Sequence, residues 1–231
     1  MLISHKHKFI TIDIPKTGTA SIRKSLYPLG VIDICGVADG RAKYYQHGTA
    51  KQCKHALQQD GIAYDDYHTF CVVRNPWDRY YSFFKYFKMY ARMYLDKDPK
   101  INWNQPQLRQ GKNCVNLFKD KTDMQVLEEL IINKPAQEHY YTLDGDIIVD
   151  HVAEFSNLSK EFKKFCRHVG ISENLSLPHA NKSEPSECQY TQRLIDMVEE
   201  KESHVISLMN YKYKNEAQHI HNHNRSIQAT K

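Results

Sequence analysis

Apolar and polar positions along this chain follow two rhythms, one of short continuous runs and one of helical spacing. Phe9-Ile10-Thr11-Ile12-Asp13-Ile14 is short, apolar and rich in β-branched residues, which predicts a strand that Pro15 ends. Gly18 follows in a loop, and Ala20 to Leu26 then predicts a helix closed by Pro28 and Gly30. A polar stretch leads to helix-like spacing near Ala50 to Leu57. Thr69-Phe70-Cys71-Val72-Val73 is an unbroken apolar run, the pattern of a strand buried on both faces. Asn75-Pro76 interrupts it, and Trp77 to Leu95 predicts a long aromatic helix. Asp96 to Asn113 is polar and holds Pro99, Pro106 and Gly111, which predicts a long loop. Asp123 to Ile132 reads as a short helix and Ile147 to Phe155 as one or two strands. Leu158 to Val169 reads as an amphipathic helix stopped by Gly170, and Gln189 to Met209 as the last helix. Strands alternating with helices predict the α/β class: a single domain with a parallel β-sheet flanked by helices, over residues 1–213. Residues 214–231 are expected to form a flexible polar tail.

Composition narrows the picture. The chain has 231 residues, 41% hydrophobic and 26% charged, which excludes a disordered polymer. No apolar run approaches the roughly 18 residues that a membrane helix needs, so no membrane span is expected. A net charge of +5 suits one small anionic ligand better than a nucleic acid. The six cysteines stand far apart and none has metal-ligand spacing, so free thiols and no metal site are expected. The first predicted strand begins too early for a signal peptide or anchor to precede it, and the expected location is cytoplasmic.

Two segments carry candidate chemistry. Pro15-Lys16-Thr17-Gly18-Thr19-Ala20-Ser21 lies where a strand turns into a helix. The first N–H groups of such a helix lack intrahelical partners, and the helix dipole adds positive potential there. Gly18 lets backbone come close to a ligand, Lys16 adds a full charge, and Thr17, Thr19 and Ser21 add hydroxyls. An ordinary capped helix would explain the hydroxyls alone, but not the convergence of strand, Gly and Lys. The string is not a Walker A loop, in which the Lys follows a second Gly. The second segment, Val72-Val73-Arg74-Asn75-Pro76-Trp77-Asp78-Arg79-Tyr80-Tyr81-Ser82, again leaves a buried strand for a helix. Arg74 stands at the strand's C-terminal end, where open α/β sheets bind ligands, and with Ser82 it suits a phosphate dianion. Arg79 reads as one half of a structural ion pair, with Asp78 or the sheet edge.

Together these segments resemble the PAPS-dependent sulfotransferases, where PAPS is 3′-phosphoadenosine 5′-phosphosulfate. Pro15 to Ser21 resembles that family's 5′-phosphosulfate loop, and Arg74 to Arg79 with Ser82 resembles its 3′-phosphate motif. His47-Gly48-Thr49-Ala50, the stretch from Asp150 to Leu158, and Leu177-Pro178-His179-Ala180-Asn181-Lys182-Ser183 are similar to segments of its carbohydrate O-sulfotransferase (chondroitin and heparan) branch. The resemblance implies a P-loop-kinase-like sulfotransferase fold that spans nearly the whole chain. It implies transfer of a sulfuryl group from PAPS to a hydroxyl, with PAP as product and no metal. Lys16 would stabilise the leaving group, Lys16 and Thr17, Gly18, Thr19, Ala20 and Ser21 would hold the 5′-phosphosulfate, and Arg74 and Ser82 the 3′-phosphate. His47 would be the base, with His55 and His68 as competitors. The acceptor would be a glycan or small sugar-containing molecule, and no nucleic acid is involved.

Other features admit plainer readings. The aromatic stripe from Tyr80 to Tyr94 suits a core, although Lys85, Lys88 and Arg92 could border an acidic acceptor. Trp103, in the predicted 96–113 loop, is a candidate for stacking on a sugar. His219, His221 and His223 belong to the solvated tail. Two other functions use the same features: a P-loop-type nucleotide kinase, which the lysine's position disfavours, and a non-catalytic module that holds a polyanion.

Overall fold

The computed structural model describes residues 1–39, 41–99, 101–171, 175, 177 and 190–213. Seven strands are present among them: β1 (Leu2–Ser4), β2 (Phe9–Ile12), β3 (Ile34–Cys35), β4 (His68–Val73), β5 (Thr142–Leu143), β6 (Asp146–Ile147) and β7 (His151–Glu154). The main sheet has the order β3-β1-β2-β4-β7, and β5 and β6 form a separate hairpin. β2 pairs in parallel with β4, and β4 with β7. β1 runs antiparallel to both β2 and β3. The sheet is therefore mixed, which corrects the all-parallel expectation. The cause is a hairpin at the start of the chain. Leu2 and Ile3 are fully buried, but three residues are too short a run to announce a strand, and Lys8 turns the chain with a φ of 48°.

Helices cover both faces. α1 (Thr19–Leu26) and α7 (Leu158–His168) pack on the face bearing Phe9, Phe70 and Val72. α2 (Ala50–Gln59) packs on the opposite face against Ile10, Ile12, Cys71 and Val73. Both faces of β4 are thus buried, which is why its sequence is an unbroken apolar run. A third cluster joins Trp77, Tyr80, Phe83 and Phe84 of α3 (Pro76–Leu95) to α5 (Asp123–Asn133) and α8 (Gln192–Lys201). Of the aromatic stripe, Tyr80, Phe83 and Phe84 are therefore core, and Tyr81 and Phe87 pack against it. Cys35, Cys53, Cys71, Cys114 and Cys166 are free thiols, and Cys188 lies outside the described residues.

Two expectations about helices need correction. Within the predicted 96–113 loop a helix begins, α4 (Gln105–Phe118). Its two apparent breakers are compatible with it. Pro106 sits in the first turn, where its missing N–H costs nothing, and Asn104 caps that turn by accepting from Gln107 N at 3.3 Å. Gly111 is where α4 crosses α3, and a Cβ there would lie 2.2 Å from Tyr94 Cδ2. The expected last helix is two helices, α8 and α9 (Ser203–Met209), parted at Glu202. The short α6 (Glu138–Tyr141) completes the set among the described residues.

Candidate active site

The site lies at the C-terminal ends of β2 and β4, neighbours in the parallel part of the sheet. The first crossing, from β2 to α1, is strained. Lys16 has a φ of 71° and Gly18, the N-cap of α1, a φ of 86°. No side chain caps α1; Ser21 N donates to Gly18 O at 2.9 Å, which leaves the first-turn amides of Thr19 and Ala20 to face a ligand. Gly18 is required for a reason the sequence did not disclose. A Cβ there would stand 2.8 Å from Leu158 Cδ2 and 2.9 Å from Phe155 Cε2, so the close approach is made by the chain's own side chains. The buried hydroxyl of Thr17 donates to Ile14 O at 2.8 Å and braces the loop. Thr19, Ala20 and Ser21 are exposed or half-exposed at the mouth of α1.

The second crossing, from β4 to α3, is orderly. Asn75 Oδ1 accepts from Asp78 N at 3.5 Å and Pro76 occupies the first turn. Arg74 stands just before this cap. Its Nη1 donates to Lys16 O at 3.4 Å, and its guanidinium lies 4.6 Å from the Phe155 ring centre. Its Nε is buried and has no hydrogen-bond partner among the described residues. Burial pulls the Arg74 guanidinium below its ordinary value, against the favourable charge of Asp78. Lys16 Nζ sits 4.5 Å from the centre of the Tyr86 ring. Burial first, then the charges of Arg74 and Lys85, lowers the Lys16 ammonium to about 8. No ion pair to Lys16 or Arg74 is formed among the described residues. Ser82 is buried one turn before Tyr86 on the same face of α3. The structure thus brings Lys16, Arg74 and the α1 terminus together, with Ser82 on the adjoining helix face.

A buried network that the sequence did not reveal supports both crossings. Arg79 is fully buried, and its Nη1 donates to Glu202 Oε1 at 3.0 Å. A structural ion pair is therefore present, but its partner is the distant Glu202, where Asp78 or the sheet edge was expected. Arg79 Nε also donates to Pro15 O at 3.1 Å, which holds the first crossing. Glu202 Oε2 accepts from Gln137 N at 3.0 Å. Gln137 in turn accepts from Arg74 N at 2.8 Å and donates to Arg74 O at 2.9 Å, which holds the second. Gln137 and Glu202 lie in segments with no motif, so nothing local could have marked them. Phe155 lay inside a segment the resemblance marked, but its contact with Arg74 required the fold.

His47 reaches the same end of the sheet. Its Nδ1 lies 2.7 Å from Asp13 O. A carbonyl only accepts, so Nδ1 carries the proton and Nε2 holds the free lone pair. Burial holds this imidazole below its ordinary value, and the Asp13 contacts oppose the shift. The competitors are placed elsewhere. His68 opens β4, six residues and roughly 20 Å of strand from Arg74. It pairs with the His168 ring at 4.0 Å. His55 is on α2, 3.0 Å from Gln59 Nε2. It lines a cavity of about 330 Å³ with Arg41, Lys43, Tyr45 and Gly48, beside the turn that carries His47.

Of the expected acceptor contacts, Trp103 is held by the fold, while Lys88 and Arg92 make exposed ion pairs. Trp103 Nε1 donates to Asp98 O at 3.0 Å, and its ring meets Tyr90 and Tyr94 edge-on. Lys88 pairs with Asp123 at 2.7 Å and Arg92 with Asp96 at 3.6 Å. The 178–183 segment and the histidines of the tail lie outside the described residues.

Against known proteins, a model of the sulfotransferase family matches residues 1–224. No curated protein and no solved structure matches the chain.

Proposed function

The chain belongs to the sulfotransferase family, whose activity is sulfuryl transfer, and we propose that its donor is PAPS and its acceptor a hydroxyl of a carbohydrate. The observation that carries this reading is the contact between two crossings: Arg74 Nη1 donates to the backbone carbonyl of Lys16 at 3.4 Å, and a buried Arg74 N–H lacks an acceptor among the described residues. Two cations without ion pairs among the described residues, beside an uncapped helix terminus, fit a small ligand with two anionic groups. We read the architecture as P-loop-kinase-like, with the anion site after the first parallel strand.

The bound donor would supply a sulfuryl group on a phosphate leaving group. Lys16 stabilises the charge that grows on the leaving oxygen. The first-turn amides of α1, with Thr19 and Ser21, orient the 5′ end, while Thr17 keeps the loop in shape. Arg74 and Ser82 read the 3′-phosphate. His47, protonated on Nδ1, takes the acceptor's proton on Nε2. Its depressed basicity leaves that nitrogen free at neutral pH.

Thermal denaturation with PAP, with ATP–Mg and with heparin tests the reading, because a ligand that binds only the native state raises the melting temperature. PAP is expected to stabilise strongly and ATP–Mg weakly. Stabilisation by ATP–Mg without PAP would point to a kinase, and by heparin alone to a polyanion module; either would refute the proposal.

A further inference from the structure

Lys16 does not rest against a carboxylate among the described residues. Its ammonium lies over the face of Tyr86, 4.5 Å from the ring centre. This ring is held in place from its far end, because Gln110 Nε2 of α4 donates to Tyr86 Oη at 2.9 Å. The crossing of α3 and α4 that makes this bond possible depends on Gly111, the residue after Gln110, which admits Tyr94. The ring and its tether are therefore built into the helix pair.

The electrostatic surroundings of Lys16 are otherwise hostile. The charged groups facing it are Arg74 at the end of β4 and Lys85 on α3, both positive, and burial adds a further penalty. Tyr86 itself faces uncharged Gln110 and the Cys114 thiol of α4. An aromatic face is the one group in this set that attracts a cation without cancelling its charge. A carboxylate in the same place would hold Lys16 as firmly but would repel an anionic donor.

We propose that Tyr86, tethered by Gln110, is a positioning residue of the donor site that keeps the Lys16 ammonium charged and aimed while leaving its charge available to an anionic ligand. This inference rests on the donor-site reading given above. Tyr86 touches neither leaving group nor acceptor in this role; it acts through Lys16.

PAP is the probe, so no acceptor is needed. Titration calorimetry from pH 7 to 9.5 reads the affinity, in a range where the phosphates of PAP are fully ionised. A ligand anion favours charged Lys16, so affinity is level below the lysine's titration and falls above it. In the wild type the fall begins near pH 8, where Lys16 titrates. In Tyr86→Leu the onset moves down by about 0.5 to 1 pH unit. Tyr86→Phe retains a ring face but loses the Gln110 tether, so its onset lies between those of the wild type and Tyr86→Leu. Lys16→Arg removes the onset, because a guanidinium does not titrate in this range. Should Tyr86→Leu misfold, phenylalanines carrying one, two and three ring fluorines at position 86 preserve shape while weakening the face. The onset then steps downward along that series. An onset that stays fixed in Tyr86→Leu or along the fluorinated series overturns the role of Tyr86. If Lys16→Ala still weakens PAP in that case, the donor site itself stands. If Lys16→Ala binds PAP like the wild type, the donor-site reading fails first.

Discussion

The two strand-to-helix crossings solve the same topological problem in opposite ways. The β4-to-α3 crossing is well formed: Asn75 caps the helix and Pro76 fills its first turn. The β2-to-α1 crossing leaves its helix uncapped and bends two residues, Lys16 and Gly18, into left-handed backbone. The capped terminus commits its Asp78 amide to Asn75, and what this crossing adds to the site is the Arg74 side chain. An uncapped terminus offers its amides directly, and Lys16 adds charge beside them. In the proposed function, this difference gives each crossing one end of a two-anion ligand, and the buried hub that holds both crossings would keep those ends in register.

Removing the hub is expected to have the largest effect. Glu202→Ala strips Arg79 of its buried partner and should lower stability by about 3 to 5 kcal/mol, measured by denaturant unfolding. A loss under about 1 kcal/mol would mean that the crossings do not share this support. Next, Lys16→Ala should reduce turnover of PAPS by about a hundred- to a thousandfold, because its charge matters most as the leaving oxygen ionises. Steady-state kinetics on any accepted hydroxyl would show it, and a change confined to KM would remove Lys16 from the chemical step. The smallest effect belongs to the orderly crossing. Asn75→Ala should cost about 1 kcal/mol of stability while PAP affinity stays near that of the wild type, as a cap does not touch the ligand. A collapse of PAP binding in that variant would show that Asn75 acts on the site itself.

Much of this contrast was legible in the sequence, and for local reasons. β2, β4, α1, α3 and α7 were announced by their own residues, because each buries a face whose periodicity is written in consecutive positions. Lys16, Gly18 and Arg74 were legible because the turn that needs them sits beside the strand that positions them. What stayed hidden depended on distant partners. The β1 hairpin turned the expected parallel sheet into a mixed one, yet three residues cannot signal a strand. α4 hid behind Pro106 and Gly111, whose tolerance comes from a first-turn position and from the crossing with Tyr94. The bond from the Thr17 hydroxyl to Ile14 O was not visible in its motif. Gln137, Glu202, Phe155 and Tyr86 are separated from the motifs they serve by the fold, and no spacing rule connects them.

The division of labour between the crossings is tested most directly by calorimetry of PAP against adenosine 5′-monophosphate, which lacks the 3′-phosphate. The wild type should prefer PAP. In Arg74→Ala that preference should fall by about ten- to a hundredfold, the range for a hydrogen bond to a charged group, because only the contact to the 3′-phosphate is lost. In Lys16→Ala both ligands should weaken together and the preference should persist. Equal weakening of the two ligands in Arg74→Ala would contradict the assignment.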